Sequence, residues 1–590
     1  MIRLRHIAFA SLLLAGCSAS SDPTSEGPSP DAENASIAPP GKADSPFSTC
    51  QVAAALLTAS NPAMDASALK ELGVHSRAAG NIARVKAGAD GTPGTEDDVS
   101  FHSLAELDAV PWVGPAALRK LAEQGAERCT STPEPEVSVV FSPQPTRDTS
   151  HLARATELID GAKRSIDVAM YSFSDSGITD ALGRAQQRGV AIRFIYDPAG
   201  TEAKSPAGTK SAQIEGLGID VRYVNKIMHN KFMIVDGPRD DVMDALDGTV
   251  MTGSANWSSS AGTRYDENTA ELHGSPALAL RFQREFNRLW TNSRDFSAGT
   301  TFERQDSLPM SDWMMLDDEN ADVAFTSSNF DTFENSYGPG FTVVAGRNEV
   351  ADRMVALIQA AKSSIWLASA HLRSRPVAEA LIARHEQDPS LDIRVYLDGQ
   401  EYVSASTSSF EAQKLDACVA AAGDSESKKQ ACNDKDFHWS YPVAKAGIAL
   451  RFKNYSYRWH YSYAPQMHHK YMLVDGDVLA SGSYNLSDNA EHATMDNLVI
   501  YRGGAYAGLA KDFEQNFSAI WETGIQEQKL ASLLDEIENG TGDVPIVYDS
   551  MALDWQQVTD LKNAIRDACS DVDTSDFRTH PEKHYYCHRK

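Results

Sequence analysis

Two segments of this sequence carry the same set of groups able to act on a phosphate. MHNKFMIVDG spaces His229, Lys231 and Asp236 as MHHKYMLVDG spaces His468, Lys470 and Asp475. In an extended strand, residues two apart share a face, so each segment presents an imidazole beside an ammonium. An imidazole can attack phosphorus or donate a proton, and a fixed ammonium holds the charge that gathers on the non-bridging oxygens. The two aspartates, seven residues beyond their histidines, fall on the opposite face and read as supporting groups. Neighbouring lysines would repel a cation, which argues against a metal on these histidines, and no cofactor is required.

A small turn follows each strand, GSANWS and GSYNLS. There Asn256 and Asn485 can donate amide hydrogen bonds to phosphate oxygens, with Ser254 and Ser483 as further substrate-binding candidates. Downstream of each asparagine stands an acid, Glu267 or Asp496, able to orient an imidazole through its second nitrogen.

Two His-x-Lys-x4-Asp motifs, each followed by Gly-Ser-x-Asn, resemble the phospholipase D superfamily over roughly residues 135 to 525. The resemblance implies a phosphodiesterase in which one histidine forms a covalent phosphohistidine and the other, protonated, donates to the leaving alkoxide. It implies His229 as nucleophile and His468 as acid, although the two copies are symmetric on this point. Lys231, Lys470, Asp236, Asp475, Glu267 and Asp496 complete the expected catalytic set.

The motifs lie within an internal duplication. LIDGAKRSIDVAMYSF at Leu158 matches LIQAAKSSIWLASAHL at Leu357, and FQREFNRLW ending at Trp290 matches FEQNFSAIW ending at Trp521. Each copy reads helix, buried strand, helix, strand, motif, which predicts an α/β fold of two duplicated units with mixed sheets sharing one active site. Both motifs stand in one chain, so a monomer is expected. The units are expected at 131–300 and 341–530, with a linker over 301–340 and a C-terminal extension over 531–590. A long insertion between Asp398 and His468 and a shorter one between Asp236 and Gly253 distinguish the copies.

The opening residues, MIRLRHIAFASLLLAGC, have the layout of a secretory signal over 1–16. The Leu-Ala-Gly-Cys ending resembles a bacterial lipobox, which implies lipidation of Cys17 and, with Ser18 next, outer-membrane sorting. Residues 17–45, rich in Ser, Pro and acid, read as a disordered tether. Residues 46–130 read as a helical domain in which LDAVPWVGPAALRKLAEQ resembles a helix-hairpin-helix element, with Trp112 where that family has its first glycine. Asp90, Asp97 and Asp98 could hold a calcium ion, but an acidic turn is the better reading. In an oxidising compartment the remaining cysteines are expected to pair locally, Cys50 with Cys129, Cys418 with Cys432 and Cys569 with Cys587.

The resemblance spans phospholipases, phosphatidyltransferases and nucleases, so it leaves the substrate open. RFKNYSYRWHYSYAPQ alternates Tyr455, Tyr457, Trp459, Tyr461 and Tyr463 along an expected strand, and Tyr457 and Trp459 are candidates for substrate contact. Such a surface could stack on nucleobases, enclose a quaternary ammonium or lie at a lipid interface. A formal charge of −27 repels a polyanion, which favours a phospholipid or membrane surface over nucleic acid. The expected activity is phospholipase D-type hydrolysis of phospholipid to phosphatidic acid and head group. The alternatives are a metal-independent nuclease and a non-catalytic scaffold that binds a partner.

Overall fold

Short apolar runs such as Ser165–Met170, buried along its whole length, can only be central strands covered on both faces. In the computed structural model such runs build two eight-stranded mixed sheets with the same spatial order. The first runs Glu136–Ser142, Glu267–His273, Thr249–Gly253, Lys231–Val235, Ser165–Met170, Ala191–Tyr196, Asp220–Tyr223, Arg294–Asp295. The second runs Ala321–Phe325, Asn497–Arg502, Val478–Gly482, Lys470–Val474, Ser364–Ser369, Asp392–Asp398, Ala449–Ser456, Val547–Asp554. In each, the pairs on either side of the fourth strand are antiparallel, and the fifth to seventh strands run parallel. The structure describes residues 47–297, 302, 305, 308–522, 527–540, 544–580 and the backbone of 586–587, so the expected signal segment, Cys17 and the tether lie outside the described residues. No described helix is long and apolar enough to cross a membrane.

Two expected boundaries shift. Ala321–Phe325, assigned to the linker, pairs with Asn497–Arg502 and is the edge of the second sheet. Val547–Asp554, assigned to the C-terminal extension, pairs with Ala449–Ser456 and closes the opposite edge. Both segments fall outside the repeated sequence because an edge strand needs only a backbone ladder and one apolar face.

The helical domain begins at Thr49–Ser60, whose Ser48 cap and Gln51 form a reciprocal capping box. The shorter insertion anchors it. Asp244, Asp241 and Asp247 surround Arg128, and Leu246 joins the apolar cluster around Leu57 and Leu121. The hairpin-like turn puts Trp112 at φ 72°, a left-handed conformation that glycine adopts without strain, with its ring 61% exposed beneath the Arg77 guanidinium. Asp97 and Asp98 accept from the amides of Asp90 and Gly94, and Asp90 accepts from that of Thr92. These carboxylates brace the turn. Cys50 is bonded to Cys129 and Cys418 to Cys432, the latter tying together the helices Ala405–Ala422 and Glu426–Asn433 of the long insertion. Cys569 is also disulfide-bonded, and the side chain of Cys587 lies outside the described residues.

The motif aspartates sit at the far end of their strands from the histidines. Asp236 and Asp475 adopt φ 52° and 54°, which a short polar side chain tolerates. Asp236 accepts from the amides of Lys163, Arg164 and Ser165 at 2.6–3.1 Å, and Asp475 from those of Lys362, Ser363 and Ser364 at 2.6–3.0 Å. They lock the turn that leads into the central strand as supporting groups, apart from the rest of the expected catalytic set. Burial raises the Asp475 carboxyl, but the amides of Ser363 and Ser364 outweigh it and hold it below its usual range. Replacing Asp475 or Asp236 by Ala should cost about 1–3 kcal/mol, read as a lower urea midpoint at unchanged slope; an unaltered midpoint would show that these amides need no acceptor.

Candidate active site

The two units meet along a seam that carries both motifs. Ile227–Met228 runs parallel to Thr494–Met495, the residues just before Asp496. Symmetrically, the Asp266 amide donates to Gln466 O (2.8 Å) and the His468 amide to Asp266 O (2.9 Å), just before Glu267. Each histidine is thus laid against the strand that delivers the other unit's acid.

The acids reach across this seam. His229 Nδ1 lies 2.8 Å from Asp496 Oδ1, and His468 Nδ1 lies 2.8 Å from Glu267 Oε1. Both carboxylates are fully buried, His229 is buried and His468 is partly exposed. The histidines precede the strands that Lys231 and Lys470 open, so imidazole and ammonium are not neighbours on one regular strand, as their spacing suggested. Each lysine folds back to donate from Nζ to its own histidine carbonyl, at 2.6 and 2.8 Å. Asn485 Nδ2 stands 3.5 Å from His229 Nε2, and the carboxamide oxygens of Asn256 and Asn485 are buried, which leaves their N–H groups as the available donors.

Ser254 and Ser483 do not face a substrate. Ser483 Oγ donates to Asp496 Oδ1 (2.6 Å) and accepts from the Asn497 amide (3.1 Å). Ser254 Oγ accepts from the Asn268 amide (2.9 Å) and donates to Asn268 O (3.4 Å), and it lies beside Glu267, whose ionised form it favours. They hold the acids because the turn that presents each asparagine packs directly on the carboxylate strand.

The two pairs differ electrostatically although their sequences match. Asp496 gains a further donor, Thr494 Oγ1 at 2.5 Å, where the equivalent position of the first unit is Tyr265. Glu267 keeps one buried oxygen with no partner. Burial raises both carboxyls; beside His229 and Lys231, Asp496 still falls below its usual range, whereas Glu267 is pushed up to about 8 despite Lys470. Burial lowers His229 to about 4 against the pull of Asp496, and it depresses His468 well below the usual imidazole range, helped by Lys470 and Lys231. Lys231 and Lys470 are lowered by burial to about 7 and about 8. A carboxylate can only accept, so His229 carries its proton on Nδ1 and turns a bare Nε2 to the cleft. The raised Glu267 favours a proton held between it and His468. Six ionisable groups packed together in this way could accept an anion, since a phosphate would restore the charge that burial takes from the cations.

Sequence reasoning missed the polar stitching between the units. Asn497 Nδ2 donates to Asn230 Oδ1 (2.8 Å), Asn268 Nδ2 lies 3.0 Å from His469 Nδ1, and Thr252 and Ser481 donate to the two asparagines across the seam. The signal was present, since an asparagine follows the acid in both copies. The rims were also missed and differ: the Tyr171 ring packs 4.7 Å from that of His229, while His371 and Arg373 occupy the second rim on a shared, fully buried Glu401.

The aromatic run does not form one surface. Its strand ends at Ser456, and Tyr455 and Tyr457 are buried, with hydroxyls donating to Asp398 and Asp573. The C-terminal extension covers that face, so Tyr457 is a packing residue, whereas Trp459 and Tyr461 are exposed in the turn beyond.

Residues 155–290 and 354–521, more than half of the chain, match the family described as cardiolipin synthase, PLD-like domain. A mitochondrial cardiolipin hydrolase of Drosophila melanogaster is 33% identical over 152 residues, covering 24% of this chain and 58% of that protein. A phospholipase D of Rickettsia conorii is 31% identical over 157 residues, covering 27% of this chain and 71% of that protein. A solved phospholipase D family member, Nuc from Salmonella typhimurium, is 30% identical, covers 28% of this chain and 99% of its own, and superposes with a TM-score of 0.23. This chain belongs to the phospholipase D-like family.

Proposed function

We propose that this protein is a phospholipase D-type phosphodiesterase that cleaves phospholipid to phosphatidic acid and head group through a phosphohistidine. The observation that carries this reading is the pair of crossed contacts, His229 with Asp496 and His468 with Glu267, each at 2.8 Å. His229 Nε2 attacks phosphorus, an N–P bond forms, and the P–O bond to the head group breaks as His468 donates a proton to the departing oxygen. Water then attacks phosphorus while His468 accepts its proton, the N–P bond breaks, and phosphatidic acid leaves. Lys231, Lys470, Asn256 and Asn485 hold the non-bridging oxygens through both steps. The unequal acids support this direction, since Asp496 is ionised beneath a neutral His229 while the other pair retains a proton to give. Relatives named for cardiolipin and phospholipid support a lipid substrate. Lipidation of Cys17 would hold the enzyme at such a surface.

Asp496→Asn and Glu267→Gln should each lower kcat by about 10²–10⁴-fold, and His229→Asn or His468→Asn should abolish turnover, because each unit lacks half of what it needs. A single variant that keeps half of the activity would refute a shared site.

kcat/KM should be bell-shaped in pH. Activity rises as His229, lowered to about 4, loses its proton, and falls as the His468–Glu267 proton and the lysine charges are lost between about 7 and about 8. A rate that climbs steadily into alkaline pH would contradict these assignments.

Ethanol reaching the phosphohistidine in place of water should yield phosphatidylethanol from phosphatidylcholine vesicles. Cleavage of single-stranded DNA with no phosphatidyl product from any phospholipid would replace this reading with that of a nuclease.

A further inference from the structure

An imidazole set on a buried carboxylate, the arrangement that fixes His229 and His468, occurs a third time at the rim of the second unit. His371 Nδ1 lies 3.0 Å from Glu401 Oε1, and Glu401 is fully buried. The same carboxylate accepts from the Leu372 amide (3.1 Å) and from Arg373 Nη2 and Nε (2.7 and 3.0 Å). Burial raises Glu401, but His371 and Arg373 hold it well below the usual carboxylate range. As an ionised acceptor it keeps the His371 proton on Nδ1. The His371 side chain is 21% exposed and its Nε2 has no hydrogen-bond partner among the described residues, so a bare acceptor faces outward.

This pair stands against the catalytic groups. Ser369 is opposite Lys470 in the sheet, and the next amide, that of Ala370, donates to His469 O (3.0 Å). Beyond His371, the amides of Arg373 and Ser374 both donate to Leu486 O (2.7 and 2.9 Å), beside Asn485. His371 therefore lies on a short segment strung between His468 and Asn485, within electrostatic reach of His468. The first unit has the same backbone there, with Ser174 and Asp175 donating to Trp257 O (2.8 and 3.1 Å), but other side chains. Tyr171, whose ring packs on His229, corresponds to Ala370, and Ser172 corresponds to His371. Without that ring, the His468 side chain is 16% exposed against 8% for His229. The open side of the cleft is thus the side of the proton donor, where the leaving group departs.

The long insertion sets the charge of this opening. Glu411, on the helix Ala405–Ala422, holds His438 Nδ1 (3.0 Å), and Asp436, just past the helix Glu426–Asn433, keeps Oδ1 buried with no partner. Burial would weaken Arg373, but Glu401, Asp436 and Glu411 hold it above its ordinary range. Three carboxylates thus surround one guanidinium that Glu401 already occupies. Such an opening favours a group that brings positive charge and a hydrogen to donate.

We propose that His371 is a specificity-determining residue that accepts at Nε2 from the leaving group, and that the preferred leaving group is an alcohol bearing a protonated amine. Among phospholipid head groups this is ethanolamine; choline brings the charge without an N–H, and glycerol brings donors without the charge. The inference rests on the phosphodiesterase reading of the site and does not require that the diester be a lipid.

The path in mirrors the path out, so an acceptor alcohol meets the phosphohistidine from the place the leaving group has left. Its oxygen bonds to phosphorus, the N–P bond to His229 breaks, and His468 takes the hydroxyl proton. The full chain is given bis(p-nitrophenyl) phosphate with equal concentrations of ethanolamine, choline or glycerol, and each transfer product is measured against hydrolysis. Transfer to ethanolamine should exceed transfer to either of the others by about tenfold. His371→Ala should bring that ratio near one, and His371→Gln, which keeps an acceptor, should restore part of it; a ratio does not depend on how much of a variant folds. The same ratios are read as kcat/KM on vesicles of phosphatidylethanolamine, phosphatidylcholine and phosphatidylglycerol, and these decide if the soluble diester is not turned over. No preference for ethanolamine, or a preference that survives His371→Ala, overturns the assignment. Selective transfer with no lipid cleaved refutes the phospholipid reading and leaves the role of His371 standing. If no diester of either kind is turned over, the phosphodiesterase reading fails, and this inference with it.

Discussion

The crossing of each histidine to the other unit's carboxylate is the contact on which this architecture depends. A buried imidazole without an acceptor on Nδ1 has no fixed tautomer, and a buried carboxylate without a donor is expensive. The seam resolves both at once, since Asp496 and Glu267 are fully buried and each is hydrogen-bonded to the partner unit's histidine. Either sheet alone would expose an unsatisfied acid. The parallel pairing of Ile227–Met228 with Thr494–Met495 and the Asn497–Asn230 contact follow from the same requirement, because they fix the register of that crossing.

Duplication gives a symmetric frame, and small departures from it make the two halves chemically different. Thr494 supplies a donor where the first unit has Tyr265, and although burial raises both carboxyls, His229 and Lys231 hold Asp496 below its usual range while Glu267 is pushed up to about 8. Tyr171 packs on His229, whereas the second rim carries His371 and Arg373 on Glu401. Further out, the C-terminal extension adds a strand and a helix to the second unit. A frame of this kind can hold phosphorus at its centre and still tell the two ends of a phosphodiester apart.

Expectations failed where a local pattern served a purpose set by distant chain. Asp236 and Asp475 belong to the motif in spelling, yet their oxygens accept the amides of residues some seventy or more positions upstream. Ser254 and Ser483 sit beside Asn256 and Asn485, but they turn inward, Ser483 to the Asp496 carboxylate and Ser254 to the backbone of Asn268 next to Glu267. The alternating tyrosines looked like one exposed face, but Tyr455 is buried with its hydroxyl on Asp398, and Tyr457 is buried against Asp573 and Lys562 of the C-terminal extension.

The sequence by itself determined the duplicated α/β units, the paired histidines and lysines, and the acids that follow them, because periodicity and repeated spelling are local properties. It could not say which acid serves which histidine, since two identical motifs allow either pairing along the chain. Tertiary structure decided that, by laying each motif against the other unit's carboxylate strand. It likewise decided the opposite shifts of the two carboxyls, which depend on burial and on the charges packed beside each. The edge strands at Ala321–Phe325 and Val547–Asp554 were hidden for the same reason, as a backbone ladder leaves little trace in side-chain pattern until its partner is known.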